Sequence, residues 1–215
     1  WSTTDKPYTT YPAAPQKPSD EAVDALRSVI SSARRGLLVI GALHSVVEQD
    51  AARRFARTLG WPTVADITSG LRLGHAEAPF VTQYPLLLAG GALSRMELPD
   101  TVVQLGGPIT SKRLLQYLYD AHPRAYVHAA SHPHRHDPNH AVTLRVEADL
   151  VHVCEAIAQM DPPSVDGSWA DRMFTISAAC EQCIGECFAD TKALTEPLIA
   201  HVVSRHLPPD AGLFV

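Results

Sequence analysis

At 215 residues, with 46% hydrophobic and 19% charged side chains, the chain can bury one full domain core and part of another. A formal net charge of −5 argues against the basic face of a nucleic-acid binder, and no apolar run approaches the ~20 residues that span a bilayer. Four cysteines are too few for a disulfide framework and predict a reducing compartment.

Residues 1–18 set Pro7, Pro12, Pro15 and Pro18 among Thr, Tyr and Ala, the composition of a linker. Ser19 then caps a helix with Asp20 and Glu21 in its first turn and Val23, Leu26, Val29 and Ile30 at helical spacing. Arg34 and Arg35 are expected in its last turn and Gly36 as its stop. Residues 37–40 are a continuous apolar run of strand length. Ser45 and Glu48 make a capping box before a second helix, carried by Ala51, Ala52, Phe55, Ala56 and Leu59 and ended by Gly60 and Pro62.

Residues 63–67 read as a strand that Asp66 interrupts, and 69–94 lack a clean period apart from a short helix at 84–89. A strand at 101–105 runs into Gly106-Gly107-Pro108, and a helix opens at Thr110-Ser111. Strands at 124–130 and 142–146 follow, then an amphipathic helix over 149–160 through Leu150, Val153, Cys154 and Ile157. Strands alternating with helices, and apolar without polar alternation, predict a doubly wound α/β domain: a Rossmann-like parallel sheet covered on both faces.

The Pro-rich stretch 161–168 is the expected boundary of that domain. Beyond it, 169–190 and 195–206 read as helices, with Pro197 tolerable in a first turn. They lead to an apolar stretch at 211–215 that reads as a strand only begun. The expected plan is a linker at 1–18, a central α/β domain at 19–160, a linker at 161–168, and the truncated start of another α/β domain at 169–215. With Trp1 where a native chain has Met, this predicts a segment of something longer.

The candidate site lies after the strand at 101–105. Lys112 and Arg113 are the first two residues inside the following helix, where the helix dipole makes each cation unfavourable by roughly 0.3–1 kcal/mol. Two cations there call for an anion in front of them, which free backbone N–H groups would help to hold. The loop fails the phosphate-loop pattern, since Ser111 replaces its second glycine and Arg113 its hydroxyl residue. No G-x-G-x-x-G is present, so dinucleotide binding has no support.

Two clusters compete for attention. His128, His132, His134, His136 and His140 crowd around Asp137. Imidazoles with a carboxylate can hold zinc, but Pro133 and Pro138 break any helix that would align them, and a polar loop is expected. Cys180, Cys183 and Cys187 form C-x-x-C-x-x-x-C, readable as a metal or iron–sulfur signal with Cys154 or a distant His as fourth ligand. On a helix the three thiols share one face, and packing as small hydrophobes is expected.

The segments VVQLGGPITSKRLLQ (102–116) and HPHRHDPNHAVTLRV (132–146) resemble the central domain of the MenD-type synthases that make 2-succinyl-5-enolpyruvyl-6-hydroxy-3-cyclohexene-1-carboxylate. The second is similar above all to the plant and algal version, a plastid multifunctional protein of phylloquinone synthesis. WSTTDKPYTTY (1–11) resembles that family's exit from its first domain, and LTEPLIAHVVSRHLPPDAGLFV (194–215) its entry into the third. The resemblance implies the middle of a three-domain enzyme that decarboxylates 2-oxoglutarate on thiamine diphosphate and adds the succinyl unit to isochorismate.

On that resemblance, Lys112 and Arg113 match a pair that binds substrate carboxylates, and the polyanionic substrates supply the missing anion. The catalytic glutamate and the Mg²⁺–diphosphate motif belong to the flanking domains, so this segment is expected to bind neither thiamine diphosphate nor Mg²⁺ alone and to be inactive alone. The 180–187 stretch departs from the bacterial pattern. The resemblance further implies a chloroplast stroma location (cytoplasm if bacterial), the flanking domains as partners, and a homo-oligomer. The rival readings are a non-catalytic interaction module and a metal-binding redox domain built on the cysteines. Whether Lys112 and Arg113 meet a cleft or open solvent separates the module from the synthase.

Overall fold

The computed structural model describes residues 14–72, 78–96, 98–160, 166–189 and 193–208, with positions 9, 10, 12, 191 and 211. In chain order the elements are α1 (Asp20–Ser31), β1 (Gly36–Ile40), α2 (Val46–Leu59), β2 (Thr63–Ala65), α3 (Tyr84–Ala89), β3 (Thr101–Leu105) and α4 (Lys112–Ala121). They continue with β4 (Ala125–Ala130), β5 (Leu144–Glu147), α5 (Leu150–Ile157), α6 (Gly167–Ala189) and α7 (Glu196–His206). Most of the expected linker at 1–18, residues 161–165 of the expected boundary and the strand at 211–215 except Ala211 lie outside the described residues.

The five strands form one all-parallel sheet in the order β2-β1-β3-β4-β5. Register aligns Ile40, Leu105, Ala129 and Val146 across the sheet, so the strands end level with one another. Side chains alternate between two cores. Leu38, Ile40, Val103, Leu105 and Val127 face α1, α2 and α5; Leu37, Val39, Val102 and Tyr126 face α3, α4 and α6. Both faces are covered, which is why the strands read as unbroken apolar runs.

The caps expected at Ser19 and Ser45 are present, and Ser111 and Thr195 cap their helices in the same way. Each of the four accepts a backbone N–H of its helix's first turn. The Ser45–Glu48 box closes one residue early, because the Glu48 carboxylate accepts from the His44 N–H at 2.7 Å.

Three expectations need correction. α1 ends at Ser31, so Arg34 and Arg35 lie outside it, and their backbone N–H groups donate to the Asp100 carboxylate at 3.2 and 3.1 Å. Gly36 does not stop the helix but begins β1; the buried Trp61 ring lies where any side chain at 36 would project. The strand expected over 63–67 ends at Ala65, and Asp66 caps a short 3₁₀ turn over Ile67–Ser69.

α6 begins at Gly167, and its first turns bury Trp169, Ala170 and Met173, with Trp169 and Met173 in the second core, beyond the boundary expected at 161–168.

Candidate functional site

In a doubly wound sheet, ligands bind beyond the carboxyl ends of the strands, where the strand order reverses. Here that point lies between β1 and β3. The crevice is filled by the protein's own backbone. Gly41 N–H donates to the Leu105 carbonyl, and Gly107 N–H to the Ala42 carbonyl, both at 2.8 Å. A Cβ on Gly41 would overlap the Gly107 carbonyl, and one on Gly106 the Ala42 carbonyl. Gly106 also has φ +84°, which side-chain-bearing residues rarely adopt.

The loop from Gly106 to the start of α4 is held by side chains from neighbouring elements. Gln104 in β3 donates its amide to the Gly107 carbonyl at 3.0 Å and accepts the Tyr126 hydroxyl at 2.7 Å. His128 in β4, 1% exposed, hydrogen-bonds the Gly106 carbonyl through Nε2 at 2.8 Å. Its Nδ1 meets an Arg145 guanidinium nitrogen at 2.6 Å. Arg145 can only donate, so Nδ1 accepts and Nε2 carries the proton: the ring is neutral. Burial first, then the charges of Arg145, His132 and His136, lower its pKa to about 4 against the raising effect of the Gly106 bond.

At the loop's other end stands Asp66, fully buried. Its carboxylate accepts the Thr110 N–H at 2.8 Å, the Thr110 hydroxyl at 3.0 Å and the Ser111 N–H at 3.4 Å. It also accepts the Thr68 N–H at 3.1 Å and the Thr68 hydroxyl at 2.9 Å. An internal anion thus sits at the start of α4, and the demand for one that Lys112 and Arg113 create is met partly from within. Reading the chain locally missed this residue as part of the site. The available signal was Asp66-x-Thr68, an Asx-turn pattern; its partner Thr110 lies 44 positions away.

Lys112 and Arg113 follow at once. Both are exposed, and neither side chain has a hydrogen-bond or ion-pair partner among the described residues. On this domain they face open solvent.

The histidines separate into two groups. His128 belongs to β4 and its interior, while His132, His134 and His136 form a surface cluster with ring centroids 5.1–6.4 Å apart. His140 sits in a turn with φ +52°, following the Asp137-Pro138 pair. The Asp137 carboxylate accepts the Ala141 and Val142 N–H groups, closing the turn as expected of that pair. Among the described residues, no group of three or more His, Cys, Asp or Glu side chains is placed to hold a metal.

The cysteines require a correction. Cys180 packs against the second core, whereas Cys183 and Cys187 are exposed, so the expected packing of all three thiols holds for one. Cys154 lies in the first core, on the opposite face of the sheet, and cannot serve as their fourth ligand. Burial pushes its thiol up to about 12.

A parallel α/β domain with a clamped loop presenting two cations at its carboxyl edge is the class the geometry defines. The whole chain, residues 1–215, matches the family described as the middle domain of thiamine pyrophosphate enzymes, and the chain belongs to that family. It is 37% identical over 97% of its length to a 2-succinyl-5-enolpyruvyl-6-hydroxy-3-cyclohexene-1-carboxylate synthase of Rubrobacter xylanophilus, and 34% identical over 99% to that of Salinibacter ruber. It is 32% identical over its full length to Protein PHYLLO, chloroplastic, of Arabidopsis thaliana. The chain spans 36% of each bacterial relative and 13% of the plant one. Among the described residues no cluster is placed to hold a metal, and backbone occupies the switch-point crevice.

Proposed function

We propose that this chain is the middle domain of a thiamine-diphosphate-dependent synthase that decarboxylates 2-oxoglutarate and adds the succinyl unit to isochorismate, with Lys112 and Arg113 binding substrate carboxylates. The observation that carries the reading is the unpartnered Lys112–Arg113 pair on a clamped loop, in a chain alike over nearly its whole length to synthases of that name. Arg offers a carboxylate a bidentate fork and Lys a point charge. Thiamine diphosphate and Mg²⁺ would be held by flanking domains and supply the carbanion chemistry there. Exposure of the pair on this domain is the outcome expected of an interaction module. Cleft against open solvent separates the two readings only in the parent chain, because a cleft closed by a second domain presents as open surface on the first. Location in the chloroplast stroma follows the plant relative, with the cytoplasm as the alternative for a bacterial parent; assembly as a homo-oligomer is part of the same proposal.

The test is Arg113→Ala in the intact parent enzyme. Loss of a charge-assisted contact worth roughly 1.5–3 kcal/mol lowers kcat/KM about ten- to a hundredfold. Lys112→Ala follows with a smaller loss. Removing a cation from a helix start relieves an unfavourable dipole interaction, so Tm stays level or rises slightly. Full kcat/KM in both variants would instead favour the second reading, a non-catalytic interaction module that the same exposure supports.

A further inference from the structure

We infer that Asp66 is a positioning residue for Lys112 and Arg113, holding the loop that presents them; this rests on the reading of that pair as the substrate-carboxylate contact. A buried carboxylate must be compensated. Here no Lys or Arg side chain forms an ion pair with it among the described residues. Among the described residues its carboxylate accepts hydrogen bonds from Thr68, Thr110 and Ser111, through three backbone N–H groups and two hydroxyls. Oδ1 faces the Thr68 side and Oδ2 the Ser111 side, while the Thr110 hydroxyl lies 3.0 Å from both oxygens. The carboxylate therefore ties the turn after β2 to the last two residues before α4.

What this achieves is visible along the loop. Gly106 is held by His128, Gly107 by Gln104 and Ala42, and Thr110 and Ser111 by Asp66. Ile109, between them, is 8% exposed. Lys112 and Arg113 are the first residues past the last of these ties, on a backbone whose direction is already set. Fixing the backbone before the charged side chains limits the freedom that substrate binding has to remove. The acid is suited to this task because it only accepts. An amide in its place keeps the shape but turns one donor toward the N–H and hydroxyl groups that now converge there.

The experiment is a double-mutant cycle on kcat/KM in the full-length parent enzyme, with Asp66→Asn, Arg113→Ala and the pair. Asp66→Asn is expected to lower kcat/KM about ten- to a hundredfold, chiefly through KM for the dicarboxylate substrate. Because Asp66 acts through the cations, adding it to Arg113→Ala costs much less than it does alone. Thr110→Val removes one of the bonds without burying a new polar group, and it carries the same cycle if Asp66→Asn does not fold. Losses that multiply in the double variant, or an Asp66→Asn enzyme with unchanged KM, overturn the inference while leaving the Arg113 reading intact. An Arg113→Ala enzyme with full activity overturns that reading, and the positioning role with it.

Discussion

α6 is one helix in two environments. Residues 167–177 bury Trp169, Ala170, Met173 and Ser177, while residues 178–189 include no fully buried side chain, Cys180 being half-buried against the second core, and α7 includes none. Composition does not explain the difference, since α7 carries Ile199, Val202 and Val203 and leaves them 41–45% exposed. What differs is the presence of a surface to pack on: α3 and the second core lie under the first half of α6. Helical periodicity reports that a face exists; stability depends on what covers it.

That contrast breaks most sharply at Trp169. Trp169→Ala should cost about 3–5 kcal/mol, as expected for a large aromatic lost from a packed interior. Urea unfolding followed by circular dichroism measures it. A loss under ~1 kcal/mol would mean that the first half of α6 contributes no more than surface helix does.

The sheet side can be tested through pH. His128 has a folded pKa of about 4, below the 6.5 of an unfolded histidine, so protonation favours unfolding. Its contribution is fully present above pH 6.5 and is lost as pH falls toward 4. At pH 5 the loss is about 2 kcal/mol relative to pH 8. His128→Asn should flatten that dependence, leaving the smaller part due to His132, whose pKa is lowered by its partial burial and the neighbouring Arg145. An unchanged pH profile in the variant would show that the buried ring does not titrate with folding.

The smallest effect is expected on the outer half of α6. Cys183→Ser should move stability by no more than ~0.5 kcal/mol, because the residue is exposed. Elemental analysis of the purified protein should find zinc and iron well below one per chain. Stoichiometric metal, lost together with helix content on chelation, would reverse the comparison and make the outer half a folded site in its own right.

The residues that could be read in advance are those whose cause is local. The caps at Ser19 and Ser45, the helix opening at Ser111, the period of α2 and the apolar runs of β1 and β3 each depend on a handful of consecutive positions. Gly36 misled because glycine after a helix usually ends it, whereas here the deciding neighbour is Trp61, 25 positions on and packed against its face. Asp66 read as a flaw in a strand because its partners come from the turn before α4. Strand order was likewise illegible, since parallel pairing joins positions as distant as Gly36 and Thr101. The cations were legible as an electrostatic anomaly, but the anion beside them was not.

The contact between Gly41 and Gly107 has a mechanical consequence. With no side chain between them, the turn after β1 and the loop after β3 bear directly on each other, carbonyl against α-carbon, and neither can shift alone. A displacement of Gly41 passes to Gly107 and Pro108 through backbone in direct contact. The two turns behave as a single stiff lever, with Lys112 and Arg113 at its tip.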